Sequence, residues 1–158
     1  MSSSVRPDPD AGAAAVLARV RGFLAHQPRA VGGVFLFCAF MTFVYMPYDV
    51  FVKLFTQELA DAEEVWLGFM LRGGAAKLTE PLHWAIYAAL TFGFYRERAW
   101  AWSLAALYTL QVSIGSLVWS FLYGSYGPFG MLLAVVVTLL FAALAHALWR
   151  ARPGAGAA

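Results

Sequence analysis

Four long apolar runs occupy most of the chain, and each of them predicts a helix. They cover residues 31–48, 81–95, 99–123 and 128–149. A helix needs about twenty residues to cross the hydrocarbon core of a bilayer. We therefore expect the first helix to continue past Pro47, and the second either to extend back over residues 77–80 or to tilt little. None of the runs alternates apolar and polar residues with a period of two, which favours helices over the strands of a barrel.

The connections between the runs predict how the helices are arranged. Residues 96–98 join the second run to the third, and residues 124–127 join the third to the fourth. Such short connections place consecutive helices antiparallel. The predicted fold class is therefore an all-α membrane protein, a four-transmembrane-helix antiparallel bundle. Residues 49–80 form a longer connection rich in apolar side chains, and they predict an amphipathic helical segment of one or two short helices between spans 1 and 2.

The same pattern divides the chain into three parts. Residues 1–28 are predicted to be a cytoplasmic N-terminal tail, residues 29–150 the four-span membrane bundle, and residues 151–158 a disordered tail. Within the N-terminal tail, residues 1–11 are expected to be disordered and residues 12–27 to form a helix. Two interpretations of this helix stay open. Either it is amphipathic and lies in the headgroup layer with its arginines toward anionic lipid, or it extends the first span into the cytoplasm.

Composition strengthens the membrane interpretation. Hydrophobic residues make up 61% of the 158 residues, charged residues make up 13%, and the mean hydropathy is +0.66. A soluble domain of this size cannot bury so much apolar surface, which disfavours a soluble enzyme, a nucleic-acid-binding protein and a disordered regulator. The single cysteine, Cys38, has no disulfide partner in the chain and no neighbouring metal ligand. It is interpreted as a small hydrophobic residue, and no metal or other cofactor is predicted.

The distribution of basic residues predicts the orientation. With the N-terminus in the cytoplasm, three basic residues face outward: Lys53, Arg72 and Lys77. The remaining eight face inward: Arg6, Arg19, Arg21, Arg29, Arg96, Arg98, Arg150 and Arg152. This asymmetry follows the positive-inside rule. We predict an integral membrane protein of a bacterial inner membrane with both termini in the cytoplasm.

Three polar residues at the outer ends of the first two spans form a candidate ligand-binding site. Asp49 follows the first apolar run, and Glu80 and His83 open the second on one helical face. Antiparallel spans place all three at one level, where they can bind a cationic group, move a proton or hold a metal. The alternative is interfacial. In that case Asp49 pairs with Lys53, Glu80 caps the second helix ahead of Pro81, and His83 is solvated.

Polar residues deeper in the spans form a second set of candidates. Tyr87, Tyr108 and Gln111 need hydrogen-bond partners at mid-span. They either hold helices together or line an internal cavity. A stripe of small residues along the third span is predicted to pack against a neighbouring helix: Ala106, Thr109, Ser113, Ser116, Ser120 and Gly124.

The layout of these features resembles the emopamil-binding and sigma-2-receptor (EXPERA-type) superfamily. Asp49 in YDVFVKLF is similar to the acidic residue that ends helix one of that family, and Glu80 in TEPLHW is similar to the glutamate that opens helix two. The stretch ALYTLQVS, residues 106–113, is similar to its tyrosine-containing third helix. Gln111 stands where the family's pattern leads us to expect a histidine, and the connection between spans three and four is shorter. Over residues 32–149, the resemblance implies a four-helix membrane bundle with a sterol- or isoprenoid-like ligand.

The favoured functional prediction is an intramembrane cavity that binds an apolar, sterol- or isoprenoid-like ligand. Asp49 and Glu80 are its predicted acidic anchors, and the other predicted ligand-binding residues are His83, Tyr87, Tyr108 and Gln111. Two alternatives stay open: an accessory or assembly subunit of a membrane protein complex, and a membrane lipid isomerase that uses the carboxylates as acid and base. The predicted partners are membrane lipids, an apolar small molecule and, in the subunit alternative, other membrane proteins, with no nucleic acid.

Overall fold

The computed structural model describes residues 9–56, 58, 61–124 and 127–154, and most of them are helical. The helices are α1 (Pro9–His26), α2 (Arg29–Phe40), α3 (Met46–Thr56), α4 (Gly74–Tyr95), α5 (Ala99–Tyr123) and α6 (Gly127–Arg150). An antiparallel hairpin of two strands, β1 (Glu63–Trp66) and β2 (Phe69–Arg72), lies between α3 and α4. The fold is therefore mainly helical, and the hairpin is the exception to the predicted all-α class.

Three helical segments within the described residues are long and apolar enough to cross a membrane. They are Arg29–Val52, Ala99–Tyr123 and Phe129–Arg150. These segments correspond to the first, third and fourth predicted spans, and they fit an integral membrane protein. The second predicted span lies in α4, which has 22 residues. Lys77 and Glu80 make the first half of that helix more polar than the other three segments.

The first span contains a change of helical pitch between α2 and α3. Residues Met41–Tyr45 form a π-helical turn, in which the N–H of Met46 donates to the carbonyl of Met41 five residues earlier. Pro47 has no N–H to donate, and its ring crowds the carbonyl four residues before it. The wider π turn accommodates that crowding. The prediction that the helix continues past Pro47 is confirmed, and Asp49 therefore lies inside α3.

The predicted amphipathic helical segment is wrong for residues 63–72, which form the hairpin. Trp66 pairs with Phe69 across a turn made by Leu67 and Gly68. Both turn residues have positive φ, 54° and 85°. This is the backbone geometry that matches the twist of a two-residue hairpin, and no α-helix can contain it. Aromatic residues on both sides of the turn also favour strands. Earlier in the predicted segment, residues 49–56 belong to α3, while residues 57, 59 and 60 lie outside the described residues.

Helix α4 begins at Gly74, well before Pro81. The extension of the second helix over residues 77–80 is therefore confirmed. The alternative in which Glu80 caps the helix is wrong, because Glu80 lies inside α4 and is only 3% exposed. The side chain of Lys53 lies outside the described part of the chain, so its pairing with Asp49 stays a prediction.

The hydrophobic core is concentrated at one end of the bundle. At this end, which we call the terminal end, α1, α4 and α6 finish and α2 and α5 begin. The core residues are Phe23, Val31, Phe35, Cys38, Leu90, Phe94, Ala101, Trp102, Ala105, Ala106 and Leu148. The rings of Phe94 and Trp102 are 5.0 Å apart between centroids, and those of Phe23 and Phe35 are also 5.0 Å apart, both in edge contacts. Aromatic pairs of this kind stabilise a core beyond the burial of their area.

Helix α1 packs onto the terminal end through its second half. Phe23 is buried in the core, and Arg19 Nε donates to the carbonyl of Tyr95 at 3.2 Å. The Arg19 guanidinium also lies over the Tyr95 ring, 5.0 Å from its centroid. The helix predicted for residues 12–27 is thus present and is held against α4. Neither interpretation of this helix anticipated that contact.

The structure describes only part of the N-terminal and C-terminal segments of the chain. Helix α1 starts at Pro9, so the expected disorder is wrong for residues 9–11, where the proline is well tolerated in the first turn of a helix. Residues 1–8 lie outside the described residues. At the C-terminus, residues 151–154 form turns. The remainder of the predicted disordered tail, residues 155–158, also lies outside the described residues.

Candidate functional site

A cavity of about 640 Å³ lies at the opposite end of the bundle, which carries the hairpin and which we call the hairpin end. Volumes of this size are typical of small-molecule sites. Its walls come from the hairpin (Val65, Leu67, Gly68), from α4 (His83, Tyr87), from α5 (Tyr108, Gln111, Val112, Gly115, Ser116, Trp119, Ser120) and from α6 (Phe129, Gly130, Leu133, Ala134, Val137). The lining is largely apolar, and its polar groups are concentrated on α4 and α5.

An aromatic wall joins the hairpin, α4 and α5 on one side of the cavity. The His83 ring stacks on the indole of Trp66 with centroids 4.5 Å apart and planes 23° apart. The Tyr108 ring meets the His83 ring edge-on at 6.3 Å and the Tyr87 ring at 5.6 Å. His83 and Tyr87 are four residues apart and therefore share a face of α4. These contacts bring an imidazole and two phenols, all able to form hydrogen bonds, to one side of an apolar space.

The hairpin turn forms one wall of the cavity and makes direct backbone contact with α5. A Cβ atom added at Gly68 would lie 2.6 Å from the carbonyl oxygen of Gly115 and 2.6 Å from Cβ of Val118. A Cβ added at Gly115 would in turn lie 3.2 Å from the backbone nitrogen of Gly68. The two glycines thus let the turn approach the helix more closely than any other pair of residues would allow. This approach places Leu67 and Gly68 at the cavity wall.

The small-residue stripe of α5 has two different surroundings. At the terminal end Ala106, Thr109 and Ser113 are buried, and Ser113 Oγ donates to the carbonyl of Thr138 in α6 at 2.8 Å. This half packs against neighbouring helices as predicted. Farther along, Ser116 and Ser120 line the cavity.

The prediction of close packing is therefore wrong for Ser116 and Ser120. Each hydroxyl donates to a carbonyl of its own helix four residues earlier, Val112 and Ser116 respectively, at 2.8 Å in both cases. Their donors are satisfied within α5, so neither serine needs a partner on α6. Small side chains at these positions leave open space where larger ones would fill the cavity.

The mouth of the cavity faces an apolar part of the surface. Phe129 and Leu133 of α6 line the cavity and are 77% and 54% exposed. The neighbouring residues Leu132 and Val136 are exposed as well. In a bilayer this surface of α6 meets lipid chains. A molecule entering beside Phe129 would therefore come from an apolar medium.

The structure places four of the six predicted ligand-binding residues around this one cavity: His83, Tyr87, Tyr108 and Gln111. Both interpretations of the mid-span residues find support, because Tyr87, Tyr108 and Gln111 line the cavity while Tyr87 of α4 also contacts Tyr108 of α5. The two predicted acidic anchors do not line the cavity. Glu80 is buried in α4, and Asp49 is partly buried in α3, which packs against α4. A cluster of Asp49, Glu80 and His83 stays a prediction.

Sequence reasoning missed the hairpin residues of the site. Val65, Leu67 and Gly68 line the cavity, and Trp66 supports His83 from behind. A leucine–glycine turn is not among the strong hairpin signals, which are Asn-Gly, Asp-Gly and Gly-Gly. The available signal was Gly68 between two short runs containing aromatic residues. In the part of the chain that the structure describes, no three His, Cys, Asp or Glu side chains are grouped to hold a metal ion.

Comparison with known proteins adds no relative from which a function can be transferred. The chain matches no family model, and no curated protein or solved structure is significantly similar to it.

Proposed function

We propose that this chain is a four-span integral membrane protein that binds an apolar ligand in the cavity at the hairpin end. The observation that carries the proposal is the cavity itself: about 640 Å³, lined mainly by apolar side chains, with hydrogen-bonding groups on one side. Binding sites for small molecules commonly combine a largely apolar lining with a few placed polar groups. The exposed apolar mouth beside Phe129 supports entry of the ligand from the bilayer.

The lining favours a ligand that is flat, mostly hydrocarbon and polar at one end. Trp119 and Phe129 supply aromatic surface, while Tyr108 and Gln111 supply hydrogen-bonding groups. A sterol or an isoprenoid alcohol has this division between a hydrocarbon body and a hydroxyl group. We propose this ligand class, in agreement with the resemblance to the EXPERA-type superfamily.

The four-span topology is supported by α4. Its 22 residues correspond to a length of about 33 Å, enough to cross the hydrocarbon core. It packs against α2, α3 and α5, so its more polar residues are partly shielded from lipid. With four spans, the excess of basic residues at the terminal end supports the proposal that both termini lie in the cytoplasm, as in a bacterial inner-membrane protein.

The test is a comparison of two serine-to-leucine variants of α5. Ser116→Leu fills the cavity, whereas Ser103→Leu makes the same change on the same helix at a position outside the cavity lining. Binding of an intrinsically fluorescent sterol to purified protein in detergent is measured by energy transfer from tryptophan. We expect Ser116→Leu to weaken binding by about tenfold, because overpacking costs about 1–3 kcal/mol. Ser103→Leu should bind like the unchanged protein.

Native mass spectrometry of the same preparations separates the alternatives. A co-purified small molecule that is lost in Ser116→Leu and kept in Ser103→Leu supports the proposal. Equal sterol binding by all three proteins, together with a co-purified partner chain, would favour the accessory-subunit alternative. A sterol that is bound and returned with a moved double bond would favour the isomerase alternative, with His83 and Tyr108 as the cavity groups able to transfer a proton.

A further inference from the structure

A second, smaller concavity lies on the outside of the bundle at the terminal end, between α5 and α6. Its volume is about 250 Å³. Leu107 and Leu110 of α5 form one wall, and Ala142 and Ala145 of α6 form the other. We call this concavity the terminal groove. It is separate from the ligand cavity, because no residue lines both.

The polar end of the terminal groove carries an ordered cation. Trp149 and His146 line the groove near the end of α6. The Arg152 guanidinium stacks over the Trp149 ring, with Cζ 4.0 Å from its centroid. A cation on an aromatic face at this distance is held in place by the ring. Arg152 thus lies against Trp149 at the edge of an apolar groove, and His146 is exposed on the groove wall.

The net charge of the segments at the terminal end favours an anion. Residues 19–29, 95–100 and 149–152 contain seven arginines, and Glu97 is the one acidic residue among them. The groove is too small for a packed helix, which is about 10 Å across with its side chains. It is also smaller than the usual small-molecule site of about 300 Å³ or more. A narrow hydrocarbon chain attached to an anionic group fits both properties.

We propose that the terminal groove binds an anionic phospholipid. One acyl chain lies between Leu107 and Ala142, and the phosphate accepts hydrogen bonds from Arg152 and His146. Basic pockets between membrane helices bind anionic headgroups in this way. The planar guanidinium of Arg152 can contact two phosphate oxygens at once. This site does not depend on the ligand cavity at the hairpin end.

The test uses the full-length protein in nanodiscs that contain equal amounts of phosphatidylglycerol and phosphatidylcholine with identical acyl chains. Lipids that stay bound after release from the disc are counted by native mass spectrometry. We expect Arg152→Gln to lower the preference for phosphatidylglycerol about fivefold, the value of one basic residue at a membrane surface. Arg150→Gln removes the same charge at the last residue of α6, two residues before Arg152, and should keep the preference. Arg152→Lys should recover most of it.

A second variant tests the acyl chain. Ala142→Leu fills the groove and should reduce retention of both phospholipids alike. Equal losses of preference in Arg152→Gln and Arg150→Gln would overturn the proposal in favour of general surface charge. Unchanged lipid retention in Ala142→Leu would also overturn it. A change in the number of protein chains per particle in Ala142→Leu would show that the groove is instead a protein–protein interface.

Discussion

At the scale of single residues, the contact between Gly68 and Gly115 has the largest consequence for the site. It joins the hairpin turn to α5 without any intervening side chain. Leu67 occupies the left-handed region beside it with φ 54°, a conformation that costs a leucine about 1–2 kcal/mol. The packing of the turn onto α5 must offset that strain. The wall of the cavity at the hairpin turn therefore depends on two positions that lack a Cβ atom.

We predict that Gly68→Ala lifts the hairpin from α5. The added methyl group overlaps the Gly115 carbonyl and Val118, and overlaps of this kind cost about 1–3 kcal/mol. Hydrogen exchange of residues 63–72 should become faster, and thermal unfolding should shift to lower temperature. The matched control is Gly74→Ala, because no heavy atom lies within 4 Å of the added methyl group. Equal exchange rates in the two variants would show that close packing of the turn against α5 does not stabilise the hairpin.

The acidic residues give a second prediction at this scale. Glu80 lies three residues, about one helical turn, before His83, and neither Glu80 nor Asp49 lines the cavity. We predict that both carboxylates act on the ligand indirectly, by positioning His83. We expect Glu80→Gln and Asp49→Asn to weaken sterol binding by about tenfold, the value of one hydrogen bond to a charged group. The unfolding temperature should change less than it does in Gly68→Ala.

The control for these variants is Glu63→Gln in β1. Glu63 pairs with Arg72 at 3.1 Å on an exposed surface, where such pairs contribute little. This variant should bind sterol as the unchanged protein does. If Asp49→Asn and Glu80→Gln also bind normally, both carboxylates have an interfacial or structural role and no part in the site.

At the scale of elements, the π-helical turn in the first span sets the packing of α2 and α3 against α4. The turn changes the helical pitch and redirects the Thr42 carbonyl, which accepts a hydrogen bond from Trp84 Nε1 at 2.9 Å. Thr42 Oγ1 donates to the carbonyl of Cys38 at 2.7 Å and lies 3.1 Å from Thr91 Oγ1. These contacts join the first span to α4 near mid-span. In hydrocarbon, backbone groups released from a helix need such partners.

We predict that Trp84→Phe destabilises the packing of the first span against α4. The change leaves the Thr42 carbonyl without its Trp84 donor, and an unsatisfied buried acceptor costs about 1–3 kcal/mol. Unfolding in detergent, followed by helical circular dichroism, should shift to lower denaturant. Trp100→Phe is the control, since Trp100 lies half-exposed in the first turn of α5. Equal stability of both variants would show that the hydrogen bond from Trp84 to the Thr42 carbonyl makes no net contribution to the free energy of unfolding.

At the scale of the whole molecule, the two ends of the bundle have different constructions. The terminal end is filled by core aromatics, and α1 adds Phe23 to them. At the hairpin end, the hairpin, α4, α5 and α6 surround the cavity, so side chains do not fill this end. A chain of 158 residues thus combines one end packed with side chains and one end that contains a cavity.

The topology gives a prediction at this scale. Replacing Cys38, the only cysteine, by Ala permits single-cysteine labelling with a membrane-impermeant maleimide. A cysteine at Glu63 in the hairpin should react in intact bacterial cells whose outer membrane has been permeabilised. A cysteine at Gly154 should react only after the inner membrane is opened, because the positive-inside rule predicts a cytoplasmic terminal end. Labelling of both positions from one side would contradict the four-span topology.

Local patterns in the sequence were sufficient to predict most of the helices. Apolar runs of spanning length predicted the segments that became α2–α3, α5 and α6, and the run past Pro47 was anticipated. Short connections predicted antiparallel neighbours, because a few residues cannot carry a helix across to the far side of a bundle. These features depend on hydropathy and chain length, both of which can be read without knowing the tertiary contacts.

The sequence by itself therefore determined a helical, membrane-suited chain and the polar residues within its apolar helices. Only the tertiary structure decided that His83, Tyr87, Tyr108 and Gln111 surround one space. It also decided that the acidic residues stay outside that space and that Ser116 borders it instead of packing. The hairpin is also decided by tertiary structure, because its turn packs against Gly115, which is distant in the sequence. Such contacts arise from packing between distant segments, and a local pattern of polar and apolar residues carries no information about them.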